Sequence, residues 1–138
     1  MSDGQDAAGS APLRPHEVEV RMLAAGQSVP GIRALAADMA MHEDFDLDAI
    51  SDVRLAVEEA CATVLANADP AGLLVCRVLV SATDLEISAF VTLADGREPS
   101  VGPLSLRILR TLSDSVDYWT STADGRRLFH VALTKSAV

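Results

Sequence analysis

The richest apolar periodicity in the chain lies in VRLAVEEACATVLANA, Val53 to Ala68. At about 100° per residue, Ile50, Val53, Val57, Ala60, Cys61, Val64 and Ala68 fall on one face, with Leu55, Ala62 and Ala66 roughly opposite. That is the pattern of a helix covered on two sides. Ser51, Arg54 and Glu58 form the strip left for water, with Arg54 and Glu58 spaced i,i+4 as an ion pair. Glu59 points instead among Leu55, Ala56, Ala62 and Thr63, where an unpaired carboxylate is costly to bury.

Upstream, HEVEVRMLA alternates Val18, Val20 and Met22 with Glu17, Glu19 and Arg21, the period of a half-buried strand whose charged outer face predicts a sheet edge. After Gly26, Ser28 is placed to cap, and Pro30 to open, a helix through IRALAADMAMHE. In it Ile32, Leu35, Ala36 and Met39 recur at helical spacing and Arg33 lies on the exposed side. HEDFDLD ends that helix, and Asp46 or Asp48 caps the central one, which ADPAG stops near Asn67. LLVCRVLVSATDLEISAFVTL reads as two largely apolar strands joined at Ala82 to Asp84, hence central in a sheet.

Beyond the loop ADGREPSVG, PLSLRILRTLSDSV opens on Pro103 as a helix with Leu104, Ile108, Leu112 and Val116 on one face. Arg107 and Arg110 point outward, with Asp114 at i,i+4 from Arg110. VDYWTSTADGRRLFHVALT closes the chain as a hairpin about Asp124 and Gly125, with Phe129, Val131 and Leu133 alternating against His130 and Ala132, and Trp119 is expected in the core. The order β, α, α, β, β, α, β, β predicts an α/β two-layer sandwich. Three helices cover one face of a mixed, mostly antiparallel sheet of about five strands, whose other face is partly open.

Length and composition narrow this further. The 138 residues suit one domain, placed at 16–138, after a small, polar, Gly- and Pro-punctuated segment, 1–15, expected to be disordered. The net charge of −9 excludes DNA or RNA as a direct ligand, since phosphate binding depends on clustered cations, and suits a basic protein partner. No apolar run reaches the roughly 20 residues that span a bilayer and no leader pattern opens the chain, so the expectation is a cytoplasmic protein that binds no membrane. Cys61 and Cys76 lack ligand spacing and read as buried thiols. His16, His42 and His130 are scattered, so no metal site assembles from local spacing.

The element order and LAVEEACATVLANA resemble the Bergerat, or histidine-kinase-like ATPase, fold of histidine kinases, gyrase-type ATPases and RsbW/SpoIIAB-type anti-sigma factors, over nearly all of residues 16 to 135. Within that group the pattern is most similar to the actinobacterial UsfX-like anti-sigma factors. In the family the central helix carries a Glu, three residues and an Asn: the Glu orients or deprotonates the nucleophile, and the Asn holds a nucleotide-bound magnesium ion. The resemblance assigns the acid to Glu59, while Thr63 stands where the Asn belongs and Asn67 follows a turn later. An acid and a ligand four residues apart lie one helical turn apart and can address the same triphosphate.

The family's adenine-reading Asp and Gly correspond to a displaced remnant, Asp95 and Gly96, with Val91 at the strand position of the acid. Of the Gly-rich phosphate lid only Gly102 remains, which leaves fewer backbone amides to close on phosphates. Arg33 matches a first-helix arginine that in the family contacts both sigma factor and antagonist.

The resemblance therefore implies an anti-sigma factor that sequesters an alternative sigma factor and is countered by a STAS-domain anti-anti-sigma factor. It implies a homodimer joined through the open sheet or its edge strand, and no required cofactor, with ATP and Mg2+ held weakly if at all. The alternative is an active serine kinase that phosphorylates the antagonist with Glu59 as base. Glu59 also has a purely structural reading, in which a backbone amide or Arg107 satisfies it.

Overall fold

The computed structural model describes residues 11–24 and 29–138. Most of the expected tail and the Ser28 cap lie outside them. The elements are β1 (Glu17–Leu23), α1 (Val29–His42), α2 (Leu47–Leu65), β2 (Leu73–Val80), β3 (Asp84–Thr92), α3 (Pro103–Leu112), β4 (Ser115–Ala123) and β5 (Arg126–Ser136), in the order the sequence predicts. They form one sheet, β1-β2-β3-β5-β4. Every neighbouring pair is antiparallel, so the sheet is not mixed; β3 and β4 run parallel to each other on either side of β5 and are joined through α3.

The strands alternate cleanly. Leu85, Ile87, Ala89 and Val91 of β3, with Phe129, Val131 and Leu133 of β5, are at most 3% exposed and face the helices. The opposite face of the sheet is open to solvent in part. β1 is an edge, as its charged face predicts, and β2 and β3 are interior. The β4–β5 turn has Asp124 at φ 52° and Gly125 at φ 73°, the paired left-handed conformation that a tight two-residue hairpin requires.

α2 is the spine of the core and lies over β3 and β5 while packing against α1 and α3. Ala49, Ile50, Val53, Ala56, Val57, Ala60, Cys61, Thr63 and Val64 are buried along it. Its second side is not covered: Leu55 is 53% exposed and Ala62 and Ala66 are also open, because α3 lies beside only part of that flank. Nor does Arg54 take Glu58, whose carboxylate reaches across to Arg33 on α1.

α3 departs from its expected face as well. Leu109 is its buried residue, Leu104 is 68% exposed, and Val116 belongs to β4 because the helix ends at Leu112. Asp114, beyond that end, accepts the Ser136 N–H instead of pairing with Arg110. Trp119 is likewise outside the core, on the open sheet face and 42% exposed. Cys61 and Cys76 are buried and free; the hydrogen bond between them and the loss of water push the Cys76 thiol well up. Among the described residues no helix is long and apolar enough to cross a membrane.

Candidate functional site

Asp46 occupies the N-cap position of α2 without a side-chain cap hydrogen bond, and Asp48 places its charge in the first turn, complementing the helix dipole. Three turns on, Glu59 is half-buried and faces a groove of about 380 Å³ between α2 and α3, shared with Leu55, Arg107, Ile108 and Leu112. Glu59 has no hydrogen bond or ion pair among the described residues, and Arg107 faces the same groove without bonding it. Access to solvent removes the burial cost that the sequence pattern implies for this carboxylate.

Of the rest of the expected nucleotide apparatus, Thr63 stays close to Glu59, whereas Asn67 is already engaged and Asp95, Gly96 and Val91 lie elsewhere. Thr63, one turn beyond Glu59, is 5% exposed, and its Oγ1 is buried with no hydrogen-bond partner. Asn67 is 0% exposed and fully committed: its Nδ2 donates to Thr63 O at 2.9 Å and to Ser100 O at 3.0 Å, while its Oδ1 accepts the Ser100 N–H at 2.9 Å. Its own carbonyl accepts the Ala94 N–H at 3.3 Å. Asn67 therefore pins both ends of the loop between β3 and α3 to the end of α2, and has no free group for a metal ion.

Asp95 and Gly96 sit at the exposed tip of that loop, in a turn closed by Arg97 N–H to Ala94 O at 3.0 Å. They line a different cavity, of about 180 Å³, with Gly125, Arg126 and Arg127, and none of its residues belongs to the Glu59 groove. Val91, at the position of the adenine-reading acid, is 0% exposed and points into the core. Gly102 precedes α3 with φ −62° and ψ 146°, an extended conformation any residue adopts. A Cβ there would meet only Ser105 Oγ at 3.9 Å, so no backbone cradle depends on this glycine.

Asp95 and Gly96 thus line a cavity apart from that of Glu59 and Asn67 is already engaged, so Glu59 and Thr63 stay together without the rest, a set that does not fit a magnesium-bound nucleotide held in the family manner. Sequence reasoning missed the Asn67–Ser100 bridge. Its signal was the i,i+4 spacing from Thr63, which puts Asn67 on a covered face where a side-chain amide must find partners.

Arg33 remains accessible at 37% of its side chain while bonded to Glu58, itself 52% exposed. Beyond the other end of α1, Glu43, Asp44, Asp46, Asp48 and Asp52 follow one another through the α1–α2 junction and make that part of the helical layer acidic. Lys135 is held at 3.0 Å by Asp52 and ties β5 to α2, a structural contact.

Compared with proteins of known function, the chain is 30% identical over 112 residues to the anti-sigma-F factor RsbW of Mycobacterium tuberculosis, in strains CDC 1551 / Oshkosh and H37Rv. The match takes in 80% of this chain, which spans 64% of the length of the curated relatives it matches. No protein-family model matches the chain. The likeness to RsbW-type anti-sigma factors expected from the central helix and the element order is borne out.

Proposed function

From this likeness to RsbW-type anti-sigma factors, we propose that the chain is itself an anti-sigma factor. It sequesters an alternative RNA polymerase sigma factor, releases it when a STAS-domain anti-anti-sigma factor competes for an overlapping surface, and works as a homodimer. The fold is read as a Bergerat-type sandwich whose nucleotide motifs have degenerated. The observation that carries this reading is the match to an anti-sigma factor over 80% of the chain. The engagement of Asn67 and the separation of Asp95 from Glu59 support binding over phosphoryl transfer, which depends almost wholly on positioning and charge neutralisation.

Arg33 is the residue proposed to meet the partners. Its guanidinium is exposed and its bond to Glu58 is a surface pair, worth at most about 1 kcal/mol, so a partner's carboxylate can replace Glu58 at little cost. The test is purification of the tagged full chain from cell extract in nucleotide-free buffer. An alternative sigma factor, identified by mass spectrometry, should accompany it, and Arg33→Ala should lose that companion while staying folded. Recovery of no sigma factor contradicts the proposal.

One observation favours the kinase reading: Glu59 stands unpartnered in an accessible groove, as a general base would. ATP with Mg2+ should then raise the thermal midpoint by linkage, and a STAS antagonist should become phosphorylated. The binding reading predicts neither.

A further inference from the structure

The two edges of the sheet differ. β1 presents Glu17, Glu19 and Arg21, charges that discourage a further strand. β4 runs nine residues, SVDYWTSTA, and Asp117 is its sole charged side chain. The rest includes good strand formers, Val116, Tyr118, Trp119, Thr120 and Thr122. Tyr118 and Trp119 are 44% and 42% exposed, and no strand lies beyond β4.

The two-residue turn at Asp124 and Gly125 makes Ala123 and Arg126 a hydrogen-bonded pair. Alternation from there points the N–H and C=O of Val116, Tyr118, Thr120 and Thr122 away from β5. One of these groups is answered locally, since the Tyr118 N–H donates to Asp117 Oδ1 at 2.9 Å. The outer row is otherwise a template for another strand, held in place by pairing with β5 along the whole of β4.

Charge selects what pairs there. Asp117 lies on the open sheet face opposite Ala132 and has no ion pair among the described residues. A strand whose carbonyl takes the Tyr118 N–H displaces the Asp117 carboxylate, which then lacks a partner. A second copy supplies no cation. Antiparallel pairing of β4 with itself about Trp119 sets Asp117 against Ser121, whose Oγ is already 2.7 Å from His130 Nε2, and brings together two chains of −9. An arginine or lysine opposite Asp117 answers the carboxylate and is drawn by the same excess of negative charge.

We propose that the β4 edge takes up an extended segment of another protein by antiparallel strand addition, with an arginine or lysine opposite Asp117 and an aromatic or aliphatic residue opposite Trp119. Trp119 is held ready for that contact by stacking on His130 at 4.9 Å with 3° between the planes. Successive residues of the incoming strand alternate between the sheet faces, so the motif read in chain order is apolar, any, basic. The edge stands across the sheet from β2, over which α1 packs, and is therefore a surface separate from that of Arg33.

Fluorescence anisotropy of the full chain with the capped, labelled peptide Thr-Thr-Val-Phe-Val-Arg-Thr tests this at about pH 7 and low ionic strength. In register, its Arg meets Asp117, its Phe meets Trp119, and the Val between them exchanges hydrogen bonds with Tyr118. Binding should saturate, with a dissociation constant about tenfold or more larger when Glu replaces the Arg. Asp117→Asn keeps an oxygen for the Tyr118 N–H and should bind the Arg peptide and its Gln counterpart equally. N-methylation of the Val between Phe and Arg removes the donor to the Tyr118 carbonyl without altering the protein, and should abolish binding. Thr120→Pro, whose lost N–H faces away from β5, should do the same with a native circular-dichroism spectrum. Absence of saturation, equal binding of the Arg and Glu peptides, or undiminished binding after N-methylation or to a natively folded Thr120→Pro overturns the proposal. A preference for Arg over Gln that survives in Asp117→Asn overturns the register. Sedimentation velocity addresses a second copy as occupant: equal mass for wild type and Thr120→Pro supports the proposal, and a dimeric wild type beside a monomeric Thr120→Pro assigns the edge to self-pairing and overturns it.

Discussion

Asn67→Ala removes the bridge that fastens the β3–α3 loop to α2. Three hydrogen bonds disappear, two to Ser100 and one to Thr63 O, from a side chain that is 0% exposed. Each is worth about 0.5–1.5 kcal/mol net. Ser100 is exposed, so its freed N–H and C=O regain water and the penalty for unpaired groups there is small. The small void left by the amide adds to the loss. The sum is about 3 kcal/mol, or on the order of 10 °C in midpoint for a domain of this size. Urea unfolding followed by circular dichroism measures it, and hydrogen exchange should show faster amide exchange at residues 94–102 with the central strands unchanged. Asn67→Asp should cost at least as much near neutral pH, because a carboxylate keeps the Ser100 N–H but faces the carbonyls of Thr63 and Ser100. A loss below about 1 kcal/mol for Asn67→Ala, or stabilisation of the wild type by Mg2+ alone that the variant lacks, refutes the assignment of Asn67 as a structural clamp.

Three further outcomes follow from the same geometry. Glu59→Gln should alter stability by no more than about 0.5 kcal/mol in urea unfolding, since the carboxylate has no partner to lose; a larger loss supports its structural reading. Arg33→Ala should cost under about 1 kcal/mol in stability while weakening sigma capture in a titration, and unchanged affinity removes it from the interface. For pH, His130 is held below 6.5 by burial, so its contribution is fully present above that value and is lost as pH falls through it toward the lowered folded value. Burial acts to raise Glu19, but the bonds and charges of Arg21 and Arg77 outweigh it and hold the carboxyl below 4.5, so that contribution persists until stronger acid. Thermal melts across this range should show the first loss disappear in His130→Gln.

The element order, the β1 edge, the interior placement of β2 and β3 and the Asp124–Gly125 hairpin were legible because each rests on local periodicity or on turn chemistry. Residues whose surroundings come from distant parts of the chain were not. Trp119 reads as core by type, yet its β4 register places it on the open face beside His130. Leu55 shares the apolar spacing of α2, but only packing by α3 could have covered it, and α3 leaves it exposed. Glu58 chose Arg33 on a neighbouring helix over Arg54 on its own, a cross-helix choice that i,i+4 spacing does not encode.

The candidate site followed the same division. Glu59 was visible as a carboxylate on an apolar flank, whereas its distance in the fold from Asp95 and Gly96 depended on where the β3–α3 loop is fastened. Asn67 illustrates the difficulty, because its spacing from Thr63 suits either a metal ligand or a helix-end clamp. Only the position of Ser100 decides between them.

The most direct test of the central claim is calorimetric titration of the purified full chain with the alternative sigma factor that accompanies it, in nucleotide-free buffer and again with ATP and Mg2+. Tight binding of equal strength under both conditions, reversed by a STAS-domain antagonist without its phosphorylation, is the predicted result. Binding that requires nucleotide, or phosphate transferred to the antagonist, would contradict it.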